Sequence, residues 1–73
     1  MTKHGPAGRR LKSARLELGW TQRQLEVKTG VPISMIRQYE RGRCLPRAER
    51  LHLLITTLGI GTQDLFQDTG VRS

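Results

Sequence analysis

The central stretch TQRQLEVKTGVPISMIRQYERG, residues 21–42, reads as two short helices separated by a sharp turn. Gly30 and Pro32 interrupt the helical pattern in its middle. Glycine ends many helices in the left-handed conformation, and proline is tolerated only in the first turn of a helix. The first helix therefore ends before Gly30, and the second runs from Pro32 to about Arg41 and is closed by Gly42.

The start of the first of these helices is specified by its flanking residues. Thr21 and Gln24 have the spacing of a capping box, in which each side chain bonds a backbone N–H of the other residue. Trp20 and Leu25 stand where a hydrophobic staple packs across the same helix start. The sequence therefore predicts a helix that begins at Gln22.

The second helix has two distinct faces. Ile36 and Tyr39 lie on one face, which we expect to point inward. The opposite face carries Ile33, Ser34, Arg37, Gln38 and Arg41. An apolar back and a polar front are typical of a helix that packs on a core and presents its other side to a partner.

Upstream, the pattern predicts a flexible arm over residues 1–5 and a helix from about Pro6 to the stop signal Gly19. The apolar residues that recur along this helix at spacings of three or four are Ala7, Leu11, Ala14 and Leu18. Such spacing places them on one face of the helix. We therefore expect this face to pack against the central pair.

Downstream, Pro46 opens a predicted fourth helix, and Gly59 followed by Ile60 indicates its end. The apolar stripe of this helix is Ala48, Leu51, Leu54, Ile55 and Leu58. No segment alternates with the period of a β-strand.

After the fourth helix, Thr62 is placed to cap a short fifth helix that carries Leu65 and Phe66, and residues 68–73 read as a tail. The whole chain of 73 residues predicts an all-α fold, a compact five-helix bundle with its domain over residues 6–67.

Basic residues dominate the charge: 13 Lys and Arg oppose 6 Asp and Glu, which gives a formal charge of +7. The first cluster precedes Glu17 and consists of Lys3, Arg9, Arg10, Lys12 and Arg15. The second surrounds the end of the central stretch and consists of Arg37, Arg41, Arg43, Arg47 and Arg50. Clustering of this kind in a small domain indicates a polyanionic partner, and a phosphate backbone fits it better than an anionic membrane.

Several classes of function find no support. One cysteine, Cys44, and two distant histidines, His4 and His52, do not make a zinc site or an internal disulfide. Asp68-Thr69-Gly70 spells a triplet found in aspartic proteases, but the β-rich scaffold that such chemistry needs is not predicted. No apolar stretch approaches the length of a membrane span, and the N-terminus lacks the apolar core of a secretory signal. We expect a cytoplasmic, non-enzymatic protein with no cofactor, metal or small-molecule ligand.

Two short helices joined by a glycine-containing turn define a helix-turn-helix. In this motif the first helix braces the second across the DNA backbone, and the second helix enters the major groove. Since base edges in that groove present distinguishable donors and acceptors, the polar front of the second helix is the predicted reading surface.

The chain also resembles the Cro/repressor-like, or xenobiotic-response-element type, helix-turn-helix regulators over about residues 9–66. The matching residues are Arg15, Gly19, Thr21, Gln22, Leu25, the run Lys28-Thr29-Gly30-Val31, Ile36, Glu40, Gly42, Pro46 and the run Leu58-Gly59-Ile60. The chain departs from the family pattern at Glu26, where a small Ala is usual, and at Pro32, where a capping Ser or Thr is usual. The resemblance implies a lambda-repressor-like DNA-binding domain.

The same resemblance implies roles for individual side chains. The positions that face DNA bases are Ile33, Ser34, Arg37 and Gln38. The positions that contact the DNA backbone are Gln22, Arg23, Arg41, Arg43 and Arg47. Arg15 and Glu40 match a pair that forms a partly buried salt bridge between the first helix and the end of the recognition helix.

We therefore expect a sequence-specific binder of double-stranded DNA, a small transcriptional regulator that acts as a homodimer through helices 4 and 5. Leu16 and Leu53 lie off the main stripes of their helices, and with Leu65 and Phe66 they are candidates for the dimer surface. The alternative is a protein-interaction module, an antitoxin or an accessory factor built on the same scaffold.

Overall fold

The computed structural model describes residues 5–61 and residue 63. The described residues form four helices: α1 (Gly5–Glu17), α2 (Gln22–Thr29), α3 (Ile33–Glu40) and α4 (Ala48–Leu58). They contain no strand, and the predicted all-α fold is confirmed. The count of four differs from the predicted five, because most of the segment predicted as a fifth helix, including Thr62, Leu65 and Phe66, lies outside the described residues. Among the helices described, none is long and apolar enough to cross a membrane.

The predicted start of α2 is confirmed in detail. The backbone N–H of Gln24 donates to Thr21 Oγ1 at 3.0 Å, and the backbone N–H of Thr21 donates to Gln24 Oε1 at 2.8 Å. At its other end, Gly30 has φ of 79°, and its N–H donates to the Glu26 carbonyl at 2.7 Å. The left-handed conformation of Gly30 turns the chain into α3 at once, which keeps the two helices of the motif close.

Three predicted helix starts are displaced. Helix α1 begins at Gly5, one residue before the predicted Pro6. Pro32 is the residue before α3 rather than its first residue, and α4 begins at Ala48 rather than at Pro46. Pro32 and Arg47 both have an extended ψ, of 140° and 169°, and an extended residue stands outside the helix as its cap.

The core lies where the four helices meet, because α3 packs on α1 and α2, and α4 packs on the same two helices. Its buried apolar residues are Ala7, Leu11, Ala14, Leu25, Val31, Ile36, Tyr39, Leu54, Ile55 and Leu58. Trp20, predicted as part of a staple, packs at the edge of this core, with the Lys28 ammonium 4.6 Å from its ring centroid.

Two residues of the predicted apolar stripes lie outside the core. Leu18 is 45% exposed, since α1 ends at Glu17 and the following turn rotates Leu18 off the buried face. The N–H of Trp20 donates to the Arg15 carbonyl at 3.1 Å and closes this turn. Ala48 is also exposed, because it is the first residue of α4.

Helix α1 comes very close to the end of α3 at Gly8, which is buried and is the fourth residue of α1. A Cβ atom placed on Gly8 would overlap the carbonyl oxygen of Tyr39 and lie 2.8 Å from that of Glu40. Both obstacles are backbone atoms at the end of α3, so neither can move without moving the helix. The absence of a side chain at Gly8 therefore sets the distance between α1 and α3.

We predict that Gly8→Ala destabilises the protein by about 1 to 3 kcal/mol, the usual cost of overpacking a close contact. In a helix interior alanine is more favourable than glycine by about 0.5 to 1 kcal/mol. The cost of the steric clash must exceed this gain for Gly8→Ala to be destabilising. Thermal unfolding followed by circular dichroism measures the change. Ser13→Ala, at an exposed position of the same helix, is the control and should leave the melting temperature nearly unchanged. A Gly8→Ala variant as stable as this control would show that α1 and α3 can separate freely.

Candidate nucleic-acid interface

Helix α3 shows the two faces that its sequence predicts. Ile36 and Tyr39 are 1% and 4% exposed and pack in the core. On the outward side, Ser34 and Arg37 are exposed and Ile33 and Gln38 are half-buried. These four side chains, the predicted base contacts, share one continuous surface of the helix, which we call the reading face.

A buried ion pair holds the end of α3 against α1. Arg15 Nε donates to Glu40 Oε2 at 2.8 Å, and Arg15 Nη2 donates to Glu40 Oε1 at 3.0 Å. The two side chains are only 7% and 4% exposed. A third bond, from Arg15 Nη1 to the Trp20 carbonyl at 2.7 Å, ties the same guanidinium to the turn before α2. This bidentate geometry is the strongest form of an arginine–carboxylate contact.

Gln22 joins this network from the first residue of α2. Its Nε2 atom donates to Glu40 Oε1 at 3.1 Å. In the free protein the amide is therefore oriented by Glu40, and the three residues Arg15, Gln22 and Glu40 link α1, α2 and α3. The phosphate contact expected of Gln22 stays a prediction.

Glu26 makes a contact that the sequence did not reveal. Its Oε2 atom accepts a hydrogen bond from the Ile33 backbone N–H at 3.0 Å, and its Oε1 atom accepts one from Arg23 Nη1. Pro32, the residue before α3, makes no side-chain cap, so Glu26 supplies the cap from the neighbouring helix. The Ile33 hydrogen bond, aided by Arg23 and Arg37, holds the pKa of Glu26 below its ordinary value against the opposing effect of desolvation. The carboxylate is therefore ionised at neutral pH.

The predicted backbone contacts form a basic rim beside the reading face. Arg41, Arg43 and Arg47 are exposed, and Arg41 and Arg43 directly follow α3. Arg23 is exposed as well, but it pairs with Glu26 across one turn of α2. The rim therefore runs from the end of α3 through the loop to the start of α4.

Arg50 is a second feature missed from the sequence. Its Nη1 atom donates to the Tyr39 hydroxyl at 3.2 Å, so α4 is bonded to the buried side of α3. Arg47 and Arg50, with Cys44 and Glu49, line a groove between the end of α3 and the start of α4. Only the basic composition of this region was visible in the sequence, because the bond joins residues that no local pattern connects.

The described helices contain two short helices, α2 and α3, joined by a tight turn, and α3 presents a polar side and a basic rim to solvent. This arrangement defines a helix-turn-helix DNA-binding domain. The helix-turn-helix family of the Cro/C1 type matches residues 11–65. The chain belongs to this family, whose members are DNA-binding, repressor-like regulators and are generally non-enzymatic. No curated protein is similar enough to the chain to count as a relative.

We predict that Glu40→Gln lowers the free energy of unfolding by about 3 kcal/mol or more, because Arg15 would keep a buried charge without its counterion. Urea titration monitored by circular dichroism measures the loss. The matched control is Glu17→Gln, since Glu17 is 68% exposed and its atom pair with Arg10 spans 3.9 Å. An exposed pair of this kind contributes little, so the control should unfold like the parent protein.

A double variant, Arg15→Met with Glu40→Leu, removes both buried charges and should recover part of the stability lost in Glu40→Gln. If Glu40→Gln proved as mild as Glu17→Gln, the ion pair would not hold α1 and α3 together.

Proposed function

We propose that this protein is a sequence-specific binder of double-stranded DNA that regulates transcription and reads the major groove with α3. The observation that carries the proposal is the outward placement of Ile33, Ser34, Arg37 and Gln38 on a helix whose far side is buried. A helix in the major groove specifies sequence through such side chains, whereas contacts to phosphates fix its position.

The chemistry of the reading face matches base edges. Gln38 can form a bidentate pair with adenine, Arg37 can do so with guanine, and Ser34 can donate to or accept from either purine. Ile33 offers an apolar surface to a thymine methyl group. The half-buried position of Ile33 and Gln38 limits their freedom, which favours a defined geometry of contact.

The basic rim supplies the affinity in this proposal. Arg41, Arg43 and Arg47 contact phosphates beside the reading face, and Gln22 contacts the backbone from the start of α2. Arg23, at the same end of α2, is paired with Glu26 and contacts the backbone only when it leaves that pair. Each arginine that neutralises a phosphate releases a counterion, so binding should weaken strongly with salt.

A homodimer completes the proposal, with two copies of α3 one DNA turn apart, about 34 Å, on a site of twofold symmetry. Leu53 of α4 is 44% exposed and supports a dimer surface on that helix and the residues after it. Selection of binding sites from random duplexes tests the whole proposal: an enriched, symmetric sequence supports it, and enrichment of no sequence contradicts it. Sedimentation with and without the selected duplex reports whether two copies bind.

We predict that Arg37→Ala and Gln38→Ala each weaken binding to the selected site by about 1 to 3 kcal/mol and relax the preference at one base position. The effect follows from the loss of a bidentate pair with a base edge. Binding to single-base variants of the site, measured by fluorescence anisotropy, locates the position. Lys12→Ala, an exposed change on α1 that also removes one positive charge, controls for overall charge. Loss of equal size on every duplex would show that α3 does not read bases.

Arg43→Ala should behave differently, since a phosphate contact carries no sequence information. We expect binding to weaken alike on the selected and scrambled duplexes, and the slope of log K against log salt to become shallower by about 0.9. Binding titrations at several salt concentrations give this slope. A change in base preference without a change in slope would assign Arg43 to the bases instead.

A further inference from the structure

The first turn of α3 is held by a side chain from α2 rather than by its own residues. Pro32 stands at the cap position and makes no side-chain bond, and Glu26 Oε2 accepts from the Ile33 N–H at 3.0 Å. Ile33 and Ser34 of the reading face both lie in this first turn. Whatever fixes the turn therefore fixes where these two side chains point.

The same carboxylate restrains Arg23, a predicted backbone contact on α2. Glu26 Oε1 accepts from Arg23 Nη1, and Arg37 adds a longer-range attraction. The Arg23 side chain is 68% exposed, so this pair contributes little to stability. It does, however, place one negative charge near two exposed arginines, Arg23 and Arg37.

The location of the charge matters because exposed N–H groups and the helix dipole make the start of a helix attractive to phosphate. Glu26 already occupies this position at α3. A DNA phosphate that approached the start of α3 would meet a carboxylate and be repelled. The first turn of α3 therefore favours contacts with base edges and disfavours non-specific binding of the DNA backbone.

We propose that Glu26 is a positioning residue for DNA reading, which caps α3 at Ile33, keeps phosphates away from the start of the helix and holds Arg23 on the protein. The inference rests on the proposed function and adds a determinant of its selectivity. Two parts of the role are separable: the cap needs an oxygen acceptor, whereas the exclusion of phosphate and the hold on Arg23 need the negative charge.

Glu26→Ala and Glu26→Gln separate these parts, since glutamine keeps an oxygen that can accept from Ile33 but carries no charge. Glu17→Ala is the matched control, because it makes the same change in net charge at an exposed position of α1. Circular dichroism first establishes that the variants are folded. Binding is then measured on the selected duplex and on a scrambled one over a range of salt concentrations.

We expect Glu26→Ala to reduce the ratio of the two affinities by about tenfold, with the loss confined to the base positions next to Ile33 and Ser34. Glu26→Gln should lower that ratio by no more than about twofold, because the cap persists and only the charge that repels phosphate is lost. For scrambled DNA, both variants should steepen the salt slope by about 0.9, as one further phosphate contact becomes possible. In a Glu26→Gln, Arg23→Ala double variant this steepening should be lost.

Hydrogen exchange of the free protein provides a readout that needs no DNA. We expect exchange of the Ile33 amide to accelerate about fivefold in Glu26→Ala, the ratio that corresponds to loss of a helix cap, and to stay near the parent rate in Glu26→Gln. The exposed control Glu17→Ala should leave it unchanged.

The outcomes distinguish the two proposals. A parent protein that prefers no duplex over scrambled DNA would overturn the proposed function and this inference together. A selective parent whose affinity ratio is the same in Glu26→Ala and Glu17→Ala would overturn the positioning role alone. Equal loss of selectivity in Glu26→Ala and Glu26→Gln would also overturn it, since a cap would then not explain the effect.

Discussion

The ion pair between Arg15 and Glu40 is the contact on which the geometry of the motif depends. One guanidinium bonds the carboxylate at the end of α3 through two nitrogens and the Trp20 carbonyl before α2 through the third. Gln22 adds a bond from α2 to the same carboxylate. Buried pairs of this kind contribute little net stability, because both charges lose water, but each charge is costly to leave without the other. Arrangements of α1, α2 and α3 that separate the two charges are therefore strongly disfavoured, even though the pair adds little to the free energy of unfolding.

Such constraints are needed because α3 has only 8 residues. An isolated helix of this length is not stable in water, so its conformation must come from its surroundings. The structure restrains it at three places: Glu26 caps its start, Ile36 and Tyr39 bury its inner side, and its last turn rests against Gly8 and Arg15. Because α3 is restrained in this way, its reading face loses little conformational entropy on binding a duplex. This favours sequence-selective binding over non-specific binding.

The features predictable from sequence were those with local causes. The Thr21–Gln24 capping box and the turn at Gly30 depend on residues within a few positions of each other, and both are present as predicted. Helical periodicity places Leu18 in the core, but α1 ends at Glu17 and the chain already turns at Leu18. The bonds from Glu26 to Ile33 and from Arg50 to Tyr39 depend on how helices pack, and no spacing rule in one sequence indicates them. The assignments to bases and phosphates depend on a partner and remain predictions.

The surroundings of Glu26 and Glu40 explain how the proposed DNA surface stays basic although these two carboxylates lie close to it. Glu40 lies within α3, but its charge is buried and matched by Arg15, so it contributes little negative potential outside. Glu26 is more accessible and is matched in part by Arg23, so its field is short in range and concentrated at the start of the helix. The long-range field of the domain then follows from its excess of 13 basic over 6 acidic residues, which attracts any duplex. When the duplex is close to the protein, the charge of Glu26 repels a phosphate at the start of α3. The general attraction to DNA and the local discrimination between phosphates and bases therefore arise from different residues.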